Sequence, residues 1–354
     1  MTKSTVLAER LKRQRLTHPI RAGKDYLSLF RLLQPVSTVA YSYPGSPPGL
    51  VHRTTFDHKK VADRLRADRT LLKGRYLGGG IGYVCEEDLA VYATAFRKPM
   101  KQRNYIQQMV LDIVQDIGPL SPRQIKEESQ LIEDPGLLNK EIMPALHRMQ
   151  EAFLVFEDQP DNDWERNWCD FVAEWPDVDL DALSWEEAAG EVIKRFVQSQ
   201  VFVTAQQVKD WSQFNTRSLK KLLGEMEANG DLSPASIDGL GDGWLSVDAT
   251  KLKDSDVSPS VFMMHRADPL VKSHSSELKA RFGGEEVLQY LLVDGEFAGA
   301  VCGHWRIGPH DVDNILVELS KKESAARKSE IIEAVAWNYH PPHHNILAYD
   351  GKKV

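Results

Sequence analysis

The feature that most constrains this chain is a construction it uses twice. "IGPLSPRQIKEES", beginning at Ile117, and "QVFVTAQQVKDWS", beginning at Gln200, share one plan. A helix carrying Ile113 and Val114, or Val192, Ile193 and Phe196, stops; a short apolar segment follows; then Ser121 or Thr204 opens a new amphipathic helix. Both hydroxyls stand where an N-cap belongs, able to accept from the orphan amides of the next turn. A second helical pattern follows each copy, "LLNKEIMPALHRM" from Leu137 and "TRSLKKLLGEM" from Thr216. Each then runs into strand candidates, "FLVFED" in one case, "DLSPAS" and "GWLSV" in the other. Helix, short helix, longer helix, hairpin is the order of a winged helix, whose third helix would enter a DNA major groove. Periodicity establishes the repeat; it leaves open a pair of three-helix modules that touch no nucleic acid.

A third copy precedes these two. "DYLSLFRLLQ" from Asp25 and "FDHKKVADRLRADR", with Val61 and Leu65 inward, read as helices, and "TLLKGRYLGGGIGYV" reads as strand, Gly-rich turn, strand. Gly78 to Gly80 do not read as a phosphate loop, which should join a strand to a helix N-terminus and carry Gly-Lys-Ser/Thr. From about Val261 the pattern changes. "EEVLQYLLVDGEFAGAVCGHWRIG" places Asp294-Gly295 between two alternating apolar runs, a hairpin signal, and "NILVEL" and "ESAARKSEIIEAVAWNY" add a strand and a closing helix. The expected fold class is α+β: winged-helix modules at 1–103, 104–180 and 181–255, then a β-rich domain with a closing helix at 256–354. That division suits 354 residues at the usual ~100–200 residues per domain.

A hydrophobic share of 42% with 27% charged residues is that of an ordinary globular protein. No uninterrupted apolar run approaches the ~18 residues of a membrane span. The opening "MTKSTVLAERLKRQRLTH" lacks an apolar signal-peptide core, so a cytoplasmic (nucleoid-associated) or nuclear location and no membrane partner are expected. Cys85, Cys169 and Cys302 lack CxxC spacing, which argues against a disulfide framework or a zinc ribbon. His340, His343 and His344 lie in "YHPPHHN", where prolines extend the chain and no carboxylate joins them; a surface tail is expected rather than a metal site. The net charge of −7 argues against a protein coated in basic surface, yet binding to nucleic acid depends on where charge lies. Residues 1–24 carry Lys3, Arg10, Lys12, Arg13, Arg15, Arg21 and Lys24 against Glu9 alone, and "HKKVADRLRADRTLLKGR" is also basic. Such runs read equally as solvated helix faces. The acids gather in "EDQPDNDWERNWCDFVAEWPDVDLDALSWEE", which reads as a charged, tryptophan-bearing connector between the repeats.

In this layout the chain resembles the AlkZ/YcaQ type of winged-helix DNA glycosylases. "LFRLLQPVS" is similar to the family's Leu-Gln helix end and "GLVHRTTFD" to its Arg-then-Phe-Asp stretch, which places Arg53 and Asp57. "RYLGGGIGYVCEEDL" resembles its Arg-containing strand, turn and following Asp-Leu; "IGPLSPRQI" and "FVTAQQVKDWSQF" resemble its middle segments; "HRADPLVKSHSSEL" and "YLLVDGEFAG" resemble its Asp-Pro-Leu and Val-Asp-Gly elements. No single motif is specific, but their order along the chain is. The resemblance implies removal of alkylated bases, including interstrand crosslinks, and so a part in DNA repair or self-resistance. The bond cleaved joins deoxyribose to base and passes through an oxocarbenium-like sugar. An N-alkylated purine is already a cationic leaving group; the protein must hold the lesion, stabilise the sugar cation and place a water. No cofactor and no protein partner are implied.

The family's Gln-x-Gln or Gln-x-Asp pair suits those needs, and here the chain departs from it. Gln34 falls on the first glutamine, but Pro35 and Val36 follow, and the family's turn histidine falls on Gly82. Either the match to the family's motif slips locally, or a neighbouring polar group such as Ser37, Tyr41 or Asp57 substitutes, or the reaction has been lost or changed. Gln34 is the catalytic candidate, with a helix-terminal amide capping backbone groups as its plain alternative. Candidate phosphate contacts are Arg53 and Arg75 in the first module, Lys140 and Arg148 in the second, and Arg217, Lys220 and Lys221 in the third. The competing expectations are a non-enzymatic DNA-binding protein and a pocket turned to a small-molecule reaction.

Overall fold

The computed structural model describes residues 1–38, 48–158, 166–304 and 311–354. Helix α1 (Lys3–Arg13) starts where the Thr2 hydroxyl accepts from the Thr5 amide. Helices α2 (Tyr26–Leu33) and α3 (His58–Ala67) follow, then the antiparallel pair β1 (Leu71–Arg75) and β2 (Ile81–Cys85), with Arg75 opposite Ile81. The Gly-rich segment is therefore the turn of a hairpin. Gly78 and Gly79 have φ of 65° and 86°, which glycine adopts without strain. A Cβ on Gly79 would also lie 2.3 Å from a Glu151 carboxylate oxygen. Helix α4 (Leu89–Phe96) follows the hairpin.

Helices α5 (Tyr105–Ile117), α6 (Pro122–Ile132) and α7 (Asn139–Glu151) precede a second hairpin, β3 (Val155–Asp158) with β4 (Asn167–Asp170). After the short α8 (Phe171–Glu174) come α9 (Trp185–Gln200), β5 (Phe202–Val203), α10 (Ala205–Ser212) and α11 (Thr216–Ala228). Strands β6 (Leu232–Ile237) and β7 (Gly241–Ser246) close a three-stranded sheet in the order β5-β7-β6. The two repeat hydroxyls act alike. Ser121 Oγ accepts from the Gln124 amide at 3.3 Å and Thr204 Oγ1 from the Gln207 amide at 3.2 Å, while each glutamine side chain accepts from the amide of its capping residue. These reciprocal bonds satisfy two orphan donors per helix and fix where each begins.

The acidic stretch is not a connector, as its charge suggested. β4 pairs with β3, and Trp168, Phe171 and Trp175 are core residues. Three of its acids make specific bonds: Asp158 and Glu174 accept from Arg69 at 2.8 and 2.5 Å, and Asp170 caps α8. Alternation within a short strand hides an apolar face behind charged neighbours.

The chain ends in β8 (Val261–His265), α12 (Pro269–Ser273), α13 (Ser275–Phe282), β9 (Val287–Val293), β10 (Glu296–Gly303), β11 (Val312–Val317), α14 (Lys321–Ala336), β12 (Ala348–Tyr349) and β13 (Lys352–Lys353). Their sheet runs β13-β12-β11-β10-β9-β8, and all neighbours are antiparallel except β11 and β12. Asp294 and Gly295 turn β9 into β10 with φ of 50° and 84°, the double positive φ of a type I′ turn. Ile331 and Val335 of α14 cover one face of this sheet.

The core crosses the expected module boundaries. Tyr76 and Tyr92, Phe153 and Phe171, and Phe196 and Trp211 belong to one cluster, although they come from three different stretches. Phe196 and Trp211 stack at 4.1 Å. Helix α1 packs away from the elements that follow it: Leu11 joins Met264, Leu270 and Leu292, and Val6 joins Val201, Phe202 and Leu245. Its basic character is partly structural, since Arg10 is buried and Arg13 bonds Gln198 O and Asp248. Cys85, Cys169 and Cys302 are all buried, and burial pushes each thiol up to about 12, far from a thiolate nucleophile.

Candidate nucleic-acid interface and the surroundings of Gln34

Helix α11 has two chemically distinct faces. Leu219, Leu222, Leu223 and Met226 are buried, while Arg217, Lys220 and Lys221 are exposed. The Asn215 side chain accepts from the amides of Arg217 and Ser218 at 3.0 and 3.3 Å, which fixes the first turn and with it the direction of the cations. Lys221 meets Glu225 at 3.3 Å, whereas Arg217 and Lys220 have no ion-pair partner among the described residues. Lys140 is exposed in the first turn of α7. A cation there gains nothing from the helix dipole, so it is available to an external anion. Helix α3, whose basic run carried no assigned contact, exposes Lys59, Lys60 and Arg64.

Three of the expected phosphate contacts point elsewhere. Arg53 is fully buried, and its guanidinium is bidentate on Asp268 at 2.6 and 3.1 Å with a further bond to Gln14 Oε1. It cannot meet a phosphate. Arg75 braces its own hairpin, donating to Gln150 Oε1 at 2.9 Å and to Gly79 O at 3.1 Å. Arg148 donates to the carbonyls of Lys98 and Pro99 at 2.9 and 3.2 Å, closing the segment before α5 over the end of α7. A sequence shows the charge of an arginine but not whether carbonyls and carboxylates already occupy its fork.

Gln34 is likewise occupied. It caps α2, is 3% exposed, and its Oε1 accepts from the Cys85 amide at 2.8 Å while its Nε2 donates to Asp88 Oδ2 at 2.7 Å. Both polar ends are bonded inside the protein. Asp88 also accepts two bonds from Arg31, at 2.7 and 2.8 Å, and one from Arg195 at 2.8 Å. Burial pushes the Asp88 carboxyl up, but these donors together outweigh it and hold it below its ordinary value. Val36 exchanges backbone hydrogen bonds with Tyr83 at 3.0 and 2.8 Å and is 1% exposed among apolar neighbours. Ser37 is also buried, Asp57 caps α3 by accepting from the Lys59 amide, and Tyr41 lies outside the described residues.

Residues 48–336 match the family described as DNA glycosylase AlkZ-like. The chain belongs to that family. Membership supports a function of the DNA glycosylase type, with DNA as the substrate. No curated protein matches the chain. Among solved structures, Streptomyces sahachiroi DNA glycosylase AlkZ superposes with a TM-score of 0.71 at 14% identity, covering 95% of this chain and 96% of that one. At that identity the likeness bears on the fold. Among the described residues, no helix is long and apolar enough to cross a membrane.

For an AlkZ-like chain, the polar group that sequence reading missed is Glu157. It is wholly buried and accepts from Lys73 at 2.8 Å, from Arg166 at 3.0 Å and from Gln150 at 3.4 Å, so the first and second hairpins are locked by charge. Burial pulls the Lys73 ammonium down, with Glu157 opposing. The signal was available: in "LLKGR" Lys73 falls on the same strand face as Leu71, and a lysine on an inward face asks for an acid.

Proposed function

We propose that this protein grips duplex DNA through tandem winged-helix modules and hydrolyses the N-glycosidic bond of alkylated purines, including crosslinked ones. The observation that carries the reading is the exposed cationic start of α11, where Arg217 and Lys220 stand on a capped third helix with no ion-pair partner among the described residues. Lys140 on α7 and Lys59, Lys60 and Arg64 on α3 extend the same chemistry to the other modules. In the reaction, water oxygen bonds to the sugar C1′ as the C1′–N bond breaks. The bonding pair neutralises the purine cation, and the water proton passes to solvent. The leaving group needs no protonation, so a strong general acid is not required. In this reading Gln34 is a positioning residue, holding the Asp88 carboxylate beside the α2 end.

The engagement of Gln34 and the apolar setting of Val36 favour a second reading, a DNA-binding protein without base release. Release of alkylpurine from methylated duplex DNA, measured beside salt-dependent binding of the same duplex, separates the two. Release that outpaces the spontaneous rate supports hydrolysis; binding with none leaves the second reading; absence of both overturns each of them.

A further inference from the structure

The two copies of the repeated construction differ in the turn before the third helix. Between α10 and α11 the chain needs only Gln213, Phe214 and Asn215, and Phe214 is buried in the core. Between α6 and α7 it runs from Glu133 to Leu138, and there Leu137 takes the buried place. Three further apolar side chains around this longer turn are left in solvent: Leu131 is 80% exposed, Ile132 62% and Leu138 44%.

These side chains share one end of α6. The Leu137 amide donates to Ser129 Oγ at 2.9 Å, and a Cβ on Gly136 would lie 2.6 Å from Gln130 Cγ, so the turn folds back on the last turn of α6 and brings Leu138 beside it. Tyr105, 61% exposed at the start of α5, donates its hydroxyl to Glu133 and so joins the same end of the helix. Leu131 lies off the stripe that buries Ile125 and Ser129, so the core of its own module does not account for it. A lone exposed leucine needs no explanation, but several large apolar side chains gathered at one helix end mark a surface that meets something. The rim carries both signs. Asp134 follows Glu133 in the turn and Lys101 precedes Tyr105; both are exposed, and neither has an ion-pair partner among the described residues. A DNA backbone would bring its phosphates against Glu133 and Asp134, and a partner of either single sign would leave part of this rim facing its own charge.

We propose that this patch pairs with the same patch of a second copy of the chain about a two-fold axis, with Leu131, Ile132, Leu138 and Tyr105 at its centre and Asp134 of each copy on Lys101 of the other. In a two-fold contact each surface meets itself, so a patch with an apolar centre and both signs of charge at its rim is its own complement. The exposed cations of α3 and α11 lie on other elements, and only Lys140, two residues past Leu138, comes to the rim. The pairing does not depend on base release.

Sedimentation equilibrium of the full chain tests this. The wild type passes from monomer to dimer as its concentration rises from micromolar toward millimolar. Leu131→Asp changes a solvent-facing side chain and no internal bond; it stays monomeric throughout, while its circular dichroism and melting temperature remain those of the wild type. Lys101→Glu and Asp134→Lys each place like charges together at both symmetric contacts and weaken self-association about tenfold. Mixed in equal amounts, these two variants associate with each other as tightly as the wild type does with itself, because an acid then faces a lysine at both contacts. A wild type that is monomeric at the highest concentration, a dimer that Leu131→Asp leaves intact, or a mixture that associates no more tightly than its two components overturns the proposal.

Discussion

Arg53 and Asp268 lie 215 residues apart and form a bidentate ion pair in which the arginine is wholly buried. The pair ties the segment before α3 to the start of α12, where Asp268 Oδ1 also accepts from the Leu270 amide. Removing one partner strands the other charge, so Arg53→Met should cost about 3–5 kcal/mol of stability. Arg53→Met combined with Asp268→Asn should cost less than the sum of the two single changes. Urea unfolding of the four proteins checks this; additive costs would mean that the pair is not coupled.

The exposed cations of α11 should behave in the opposite way. Arg217→Ala or Lys220→Ala removes no internal bond and should leave stability within about 0.5 kcal/mol. Each should lower the slope of log affinity against log salt by about one for duplex DNA. Arg53→Met, even where folded, should leave that slope unchanged. Anisotropy titrations at several salt concentrations read both, and an unchanged slope for Arg217→Ala would remove α11 from the interface.

The elements of this fold were legible because their signals are local. Ser121 and Thr204 cap helices since a hydroxyl three residues before a glutamine completes a reciprocal pair, and Asp294-Gly295 turns a hairpin because both residues accept positive φ. What lay beyond the sequence was long-range partnership. Arg53 and Arg217 are the same residue type in basic stretches, and only the fold brings Asp268 to one and solvent to the other. Gln34 was found by resemblance, but its partners Cys85 and Asp88 come from the far end of the hairpin. The acidic stretch misled for a related reason: its tryptophans are visible in the sequence, but only the fold shows that Trp168 and Trp175 are buried in the core.

Gln34→Ala should unfold more easily by about 3 kcal/mol, because the Cys85 amide and one Asp88 oxygen lose their partner in a buried setting and a cavity remains. Val36→Gln, which restores the family's residue type at this position, should also destabilise, since the amide enters the apolar cluster around Tyr83. It should not increase base release. Thermal unfolding and alkylpurine release in parallel decide the matter; a faster release in Val36→Gln would show that this position reaches the lesion.

Stability should fall between about pH 6.5 and pH 4 because of two buried histidines. His265 and His274 are each held down to about 4, first by burial and then by nearby arginines, Arg266 for one and Arg10 for the other. His265 Nδ1 accepts from the Ala267 amide at 3.1 Å and His274 Nε2 from Gln207, so neither nitrogen can carry a proton without breaking a bond. The unfolded chain binds protons at these rings near pH 6.5, while the folded protein resists them until about pH 4. The stabilisation is therefore full above pH 6.5 and is lost progressively as pH falls toward 4, by roughly 3 kcal/mol for each ring at most. Melting temperatures measured from pH 7.5 to pH 4.5 should decline in the wild type. In His265→Asn, whose side-chain oxygen can accept from the Ala267 amide without titrating, the decline should be shallower by about half. A pH profile identical to the wild type in that variant would assign the acid sensitivity to other groups.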